Sequence, residues 1–146
     1  MLLKNNYNQQ KVYIAALQKE IEISRVIGQF SEKKRSPTLV FIAGIHGNET
    51  SGIYAIKKVL NSIKKENISL QGNVYAISGN MNALKKGIRF EKEDLNRIWT
   101  HQQIKKIKSK KTTNSFEEKE QLTLYEIVKL ILSEENGPFI FLDLQC

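Results

Sequence analysis

Apolar residues in this chain fall either into short unbroken runs or into longer stretches with helical spacing. Leu39-Val40-Phe41-Ile42-Ala43 is unbroken and predicts a strand over Thr38 to Ala43, covered on both faces. Val74 to Ser78 and Phe139 to Leu144 read in the same way. Between the first two runs, Ile53, Ile56, Leu60 and Ile63 recur with lysines opposite, which predicts a helix from about Ser51 to Lys65. Ser115 opens a second long helix, because Glu118 follows three residues later in a capping-box pattern. Leu122, Tyr125, Val128, Ile131 and Leu132 are its expected buried stripe, and Gly137 follows its end. From Asn8 to about Glu22 the apolar residues Val12, Ile14, Ala15, Leu17 and Ile21 stand at mixed spacing. The first part of this stretch reads as helix, with Ile21 to Ile27 an alternative edge strand. Ser31 to Pro37 is a charged turn, Asn67 to Gly72 another turn, Gly79 to Ile98 an irregular polar segment, and Thr100 to Thr113 a basic helix or loop. Strands alternating with helices predict an α/β fold, a mostly parallel or mixed sheet flanked by helices.

Composition narrows the class. The chain has 146 residues, with 40% hydrophobic and 26% charged, ordinary values for one globular domain. Its apolar runs are strand-sized, too short to span a bilayer. The N-terminus lacks a secretory signal pattern, and Cys146, the sole cysteine, excludes an intrachain disulfide, so a cytoplasmic location is expected. The net charge of +8, from 23 Lys+Arg against 15 Asp+Glu, favours anionic partners. Nucleic-acid modules interleave aromatics or arginines with such charge, and the stretch Ile104 to Lys111 has neither. Charge alone leaves a small acidic substrate or a membrane surface open, and a solvated lysine-rich surface accounts for the same excess; a nucleic acid is not expected.

Chemistry is concentrated after the strands. Gly44-Ile45-His46-Gly47-Asn48-Glu49 places a His and a Glu three residues apart on a glycine-flanked loop between a buried strand and a helix. Imidazole nitrogen and carboxylate oxygen suit Zn²⁺, and a catalytic zinc usually takes three protein ligands. The spacing alone is equally compatible with a solvated loop. A second polar group, Asn80, Asn82, Arg89, Asp94, Asn96 and Arg97, follows the second strand. Its arginines suit bidentate carboxylate binding, although a surface loop with Asp94 paired to Arg97 accounts for the same composition. Asp143 and Gln145 end the third strand. Ligands of such sheets bind at the carboxyl ends of strands, so parallel strands would bring all three groups to one edge.

These blocks together carry a resemblance. Gly44-Ile45-His46-Gly47-Asn48-Glu49, then Gly79-Asn80 and Ala83, then Arg89-Phe90 and Asp94-Leu95-Asn96-Arg97, resemble the succinylglutamate desuccinylase/aspartoacylase family of zinc carboxypeptidase-like hydrolases. The resemblance runs from about Leu39 to Leu144. It implies that residues 1–146 are the N-terminal part of a zinc hydrolase catalytic domain, incomplete at the C-terminus. The implied activity is zinc-dependent removal of an acyl group from an N-acylated acidic amino acid. His46 and Glu49 are then ligands of one Zn²⁺ ion. Arg89, Asn96 and Arg97 sit where the family binds the substrate carboxylate and polarises the scissile carbonyl, with Arg89 at the carbonyl and Asp94 orienting the loop.

The chain departs from the family pattern at its end. The third ligand of the family is a histidine in a D-L-H block, and here Phe141-Leu142-Asp143-Leu144-Gln145-Cys146 puts Gln145 in that position. The family's general-base glutamate, which lies beyond this point, has no counterpart. His101, the only other histidine, matches no motif. The expectation is a truncated deacylase, inactive in this form, or alternatively a short non-catalytic binder of acidic metabolites. An amide oxygen is a poorer zinc ligand than imidazole, so Gln145→His is expected to tighten zinc binding in a competition titration. Equal affinities would mean that residue 145 is not at the metal position.

Overall fold

A computed structural model describes residues 9–31, 37–110, 112 and 115–145. Its first elements form a separate hairpin, β1 (Gln10–Ile14) antiparallel to β2 (Lys19–Ile23), joined by a short 3-10 turn over Ala15–Leu17. This corrects the helical reading of the stretch from Asn8. Val12 and Ile14 are buried while Lys11 and Tyr13 face solvent, the two-residue period of a half-buried strand. The turn interrupts that period and makes the spacing look mixed, and Gln18, at φ 49, takes the left-handed conformation that reverses the chain.

The main sheet has four strands in the order β3-β5-β4-β6. The edge strand expected near Ile21 to Ile27 lies slightly later, as β3 (Val26–Phe30), antiparallel to β5 (Asn73–Ser78). β4 (Thr38–Ala43) runs parallel to both β5 and β6 (Phe139–Leu144). The register sets Ala43 opposite Ser78 on one side and opposite Leu144 on the other. All three parallel strands therefore end level, and the loops that follow β4 and β5 leave from one edge. β6 is an outer strand, with Ile140, Phe141 and Leu142 exposed.

Helices cover both faces, as the unbroken apolar strands require. On one side α1 (Ser51–Lys65) packs Ile56 and Leu60 against Ala76, with Phe41 and Val74 alongside. On the other side α4 (Phe116–Glu134) packs Leu124, Ile127 and Ile131 against Val40, Tyr75 and Ile77. The hairpin adds Val12, Ile14 and Ile23 to a third cluster with Ala43, Ile53 and Leu84.

Two further expectations change. The segment from Gly79 to Ile98 is not wholly irregular. It contains α2 (Met81–Lys86), capped by the Asn80 side chain, and a 3-10 turn over Leu95–Arg97 capped by Asp94. In α4, whose Ser115 cap does form, Ile131 is the one predicted stripe residue that is fully buried; Leu132 is exposed. The buried face instead runs through Glu117, Glu120, Gln121, Leu124 and Ile127. Apolar spacing misjudged the face because its first two turns bury carboxylates that have distant partners. The basic stretch forms α3 (His101–Ser109). Residues 32–36 of the predicted charged turn, and Thr113 and Cys146, lie outside the described residues.

At the opposite end of the sheet another buried acid joins strands to helix. Glu135 accepts hydrogen bonds from Ser31, from Tyr75 and, at 3.1 Å, from Asn73 Nδ2. Burial, and then the bond to Glu135, push the Tyr75 phenol from 10.0 up to about 12. Its contribution to stability is therefore whole below pH 10 and is lost as the pH climbs towards 12. Tyr75→Phe should cost about 1–2 kcal/mol at neutral pH. It should also shrink the alkaline loss of stability between pH 10 and 12. Urea titrations of both proteins across that range check this, and parallel curves would contradict it.

Candidate active site

The loop after β4 is shaped by two glycines. Gly44 has φ +74, in the left-handed region. Gly47 lies against the backbone of α2, where an added Cβ would stand 2.1 Å from the carbonyl carbon of Ala83. The Gly47 amide donates to the Arg89 carbonyl at 3.2 Å. The His46 loop, α2 and the Arg89 loop are thus packed backbone to backbone, which leaves His46 only 2% exposed.

His46 stands between two carboxylates. Its Nδ1 lies 3.0 Å from Glu49 Oε1, and its Nε2 lies 2.9 Å from Asp94 Oδ1. Carboxylates only accept, so each ring nitrogen must either carry a proton or share a cation with the carboxylate it faces. Arg89 spans the pair, with Nη1 donating to Glu49 Oε1 at 3.3 Å and Nη2 lying 3.7 Å from Asp94 Oδ2. Burial raises the Asp94 carboxyl, but it is outweighed by the hydrogen bonds from His46 and the Asn96 amide and by the charges of His46 and Arg89. The group is held below its ordinary range. Glu49 Oε2 is buried without a hydrogen-bond partner among the described residues. With one carboxylate oxygen orphaned and a neutral imidazole, this donor set has the chemistry for a divalent cation at Nδ1 and Glu49. In that arrangement Nε2–H donates to Asp94, the usual way a ligating imidazole is oriented by a carboxylate behind it.

The fold therefore brings His46, Glu49, Arg89 and Asp94 together, and Asp94 pairs with His46 and Arg89 rather than with Arg97. The side chains of the other candidates are not bonded to this group among the described residues. Asn96 and Arg97 are exposed, and Arg97 has no side-chain bond among the described residues. Asn96 lines a mainly apolar cavity of about 370 Å³ with Ile45, Trp99, Tyr125, Phe141 and Asp143. The amide of Gln145 donates to Asp143, and His101 is exposed on the first turn of α3. Among the described residues no third His, Cys, Asp or Glu joins His46 Nδ1 and Glu49 as a metal ligand, since Asp94 faces the other ring nitrogen.

Residues outside any motif hold the site's frame. Arg25 is buried and donates to the Ser78 carbonyl at 2.8 Å, to the Gly79 carbonyl and to Glu120. Glu117 receives the Asn80 side chain and the amides of Glu91 and Lys92. The only sequence trace of Glu117 is its place in the first turn of a helix, where acids are favoured by the helix dipole.

Three level parallel strands, backed by helices on both faces and delivering His, Glu, Asp and Arg to one edge, place the chain in the zinc carboxypeptidase-like class of fold. It belongs to the succinylglutamate desuccinylase/aspartoacylase family, whose catalytic-domain model matches residues 35–144. A succinylglutamate desuccinylase of Pseudomonas fluorescens is 36% identical over 61 residues, 42% of this chain and 18% of that relative. One from Pseudoalteromonas atlantica is 36% identical over 80 residues, 54% of this chain and 23% of the relative. Among solved structures, the succinylglutamate desuccinylase of Vibrio cholerae superposes with a TM-score of 0.68 at 20% identity, covering 94% of this chain and 39% of that one. The chain thus spans less than half the length of these relatives. No helix among the described residues is long and apolar enough to cross a membrane.

The Gly47 contact has a direct test. Gly47→Ala forces a Cβ into the backbone of Ala83, so it should destabilise by about 3 kcal/mol. Gly87→Ala meets nothing within 4 Å and bears only the left-handed penalty of about 1 kcal/mol. Denaturant titrations that rank the two equally would show that the loop does not press on α2.

Proposed function

We propose that this chain carries the histidine–glutamate part of a zinc-dependent deacylase site, one that releases the acyl group from an N-acylated acidic amino acid. The observation that carries the reading is the buried, unpartnered Oε2 of Glu49 beside a histidine oriented by Asp94. Its family membership supports a hydrolase, and the relatives' names point to a succinylated glutamate as the kind of substrate.

His46 Nδ1 and Glu49 would hold the ion. When bound, zinc supplies Lewis-acid activation of the scissile carbonyl and of water. Asp94 keeps the proton on Nε2 and so directs the Nδ1 lone pair towards Glu49. Arg89 is 51% exposed and engages two carboxylates from one side, leaving donors free towards solvent. Those donors stabilise negative charge developing on the carbonyl oxygen. The exposed Arg97 and Asn96 supply charge and hydrogen bonds for a substrate carboxylate. No carboxylate among the described residues stands beside His46 without already being engaged as ligand or orienting group, so we propose that these 146 residues bind without turning over. The half-exposed Arg89 also supports a second reading, a non-catalytic binder of small acidic metabolites.

Zinc titration of the metal-free chain, with calorimetry and hydrolysis assays on N-succinylglutamate, tests both readings. One weak zinc per chain, lost in His46→Ala, with no hydrolysis, is the expected result. Identical titrations of the wild type and His46→Ala would sink the metal reading. Turnover would sink the proposed inactivity, and metabolite binding without zinc would favour the second reading.

A further inference from the structure

The carboxylate of Glu117 is 0% exposed, and among the described residues it has no cationic partner. A buried charge of this kind is costly unless hydrogen bonds satisfy it. Here Oε1 accepts from the Glu91 amide at 2.9 Å and from Asn80 Nδ2 at 3.3 Å, while Oε2 accepts from the Lys92 amide at 3.3 Å. All three donors belong to the segment that carries the site. Asn80 opens it by capping α2 through the Ala83 amide. Glu91 and Lys92 lie between Arg89 and Asp94, the two residues that close around Glu49 and His46. Glu117 itself sits on the second residue of α4, where the free helix amides favour an anion.

We propose that Glu117 is a positioning residue for the site: by holding the 91–92 backbone from below, it sets where Arg89 and Asp94 stand and thereby orients the His46 imidazole. The proposal deepens the zinc-site reading and rests on it for its functional meaning, but the linkage itself is a property of the metal-free chain. The neighbouring acid Glu120 provides the contrast. It is also buried in α4, yet it pairs with Arg25 and makes no hydrogen bond to the 89–94 loop among the described residues. Loss of Glu120 should weaken the fold in general, whereas loss of Glu117 should release one loop and, through it, one ring.

Nuclear magnetic resonance of the metal-free chain gives a readout that a merely stabilising role would not move. The wild type should show slowed hydrogen exchange at the Glu91 and Lys92 amides and a downfield His46 ring proton, from Nε2–H donating to Asp94. Glu117→Gln turns an amide N–H₂ towards at least one of its donors, so both signatures should be lost. Glu120→Gln should keep them even where its melting temperature falls further. Retention of the ring proton in Glu117→Gln overturns the proposal, and so does equal loss in both variants. Where Glu117→Gln does not fold, the wild-type exchange decides: protected amides support the linkage, and exchange at free-loop rates overturns it. A parallel zinc titration separates the two ideas. If zinc binds, Glu117→Gln should weaken it about 10-fold or more, in the range of groups that orient metal ligands. A wild-type chain that takes no zinc counts against the metal reading alone, and the ring-proton result still stands.

Discussion

The geometry at the carboxyl edge depends on buried carboxylates in the first two turns of α4. A helix dipole alone holds an anion weakly, and a desolvated carboxylate needs donors close by. Glu117 finds them in the Asn80 side chain and the 91–92 amides, and Glu120 finds one in Arg25, which also binds the Ser78 and Gly79 carbonyls. Leaving either acid unpaired is far more costly than any single surface contact, so the loops are committed to one arrangement. Glu135 does the equivalent work just beyond the last turn of the helix, bonding Asn73 and Tyr75 of β5. One helix thus ties down the chain at both ends of the sheet.

That frame explains why the site is compact although its parts are not. β4 delivers His46 and Glu49 through a loop that only glycine can build, because Gly47 leaves no room for a side chain over Ala83. β5 delivers Arg89 and Asp94 through a longer segment broken by α2. The parallel register brings both loops off one edge, and hydrogen bonds across them then set the ring of His46.

Legibility in the sequence followed the range of the interactions. β4, α1 and β6 were readable because unbroken apolar runs and helical spacing are local signals, and Ser115 with Glu118 gave the start of α4. The hairpin was misread because the alternation of Val12 and Ile14 is cut short by Ala15–Leu17. The buried face of α4 was misread because Glu117 and Glu120 look like surface residues until Asn80 and Arg25 are placed beside them. In the candidate site, the two loops singled out by the spacing of His46 and Glu49 and by the Arg89 to Arg97 blocks meet through hydrogen bonds. The bond between His46 and Asp94 joins different loops, and no spacing rule reaches it. Asn96 and Arg97, which share the Asp94 block, turned out to face solvent.

The order of these parts along the chain has a consequence for how the protein is made. A ribosome releases the His46 loop first, then the segment from Asn80 to Arg97, and only afterwards the helix whose acid holds that segment. Until α4 has emerged, the amides of Glu91 and Lys92 have no carboxylate to meet, and Arg25 waits for Glu120 across most of the chain. The loops that look most preorganised in the finished molecule are thus among the last to settle during synthesis, and a nascent chain shorter than about 120 residues has the residues of the site without its shape.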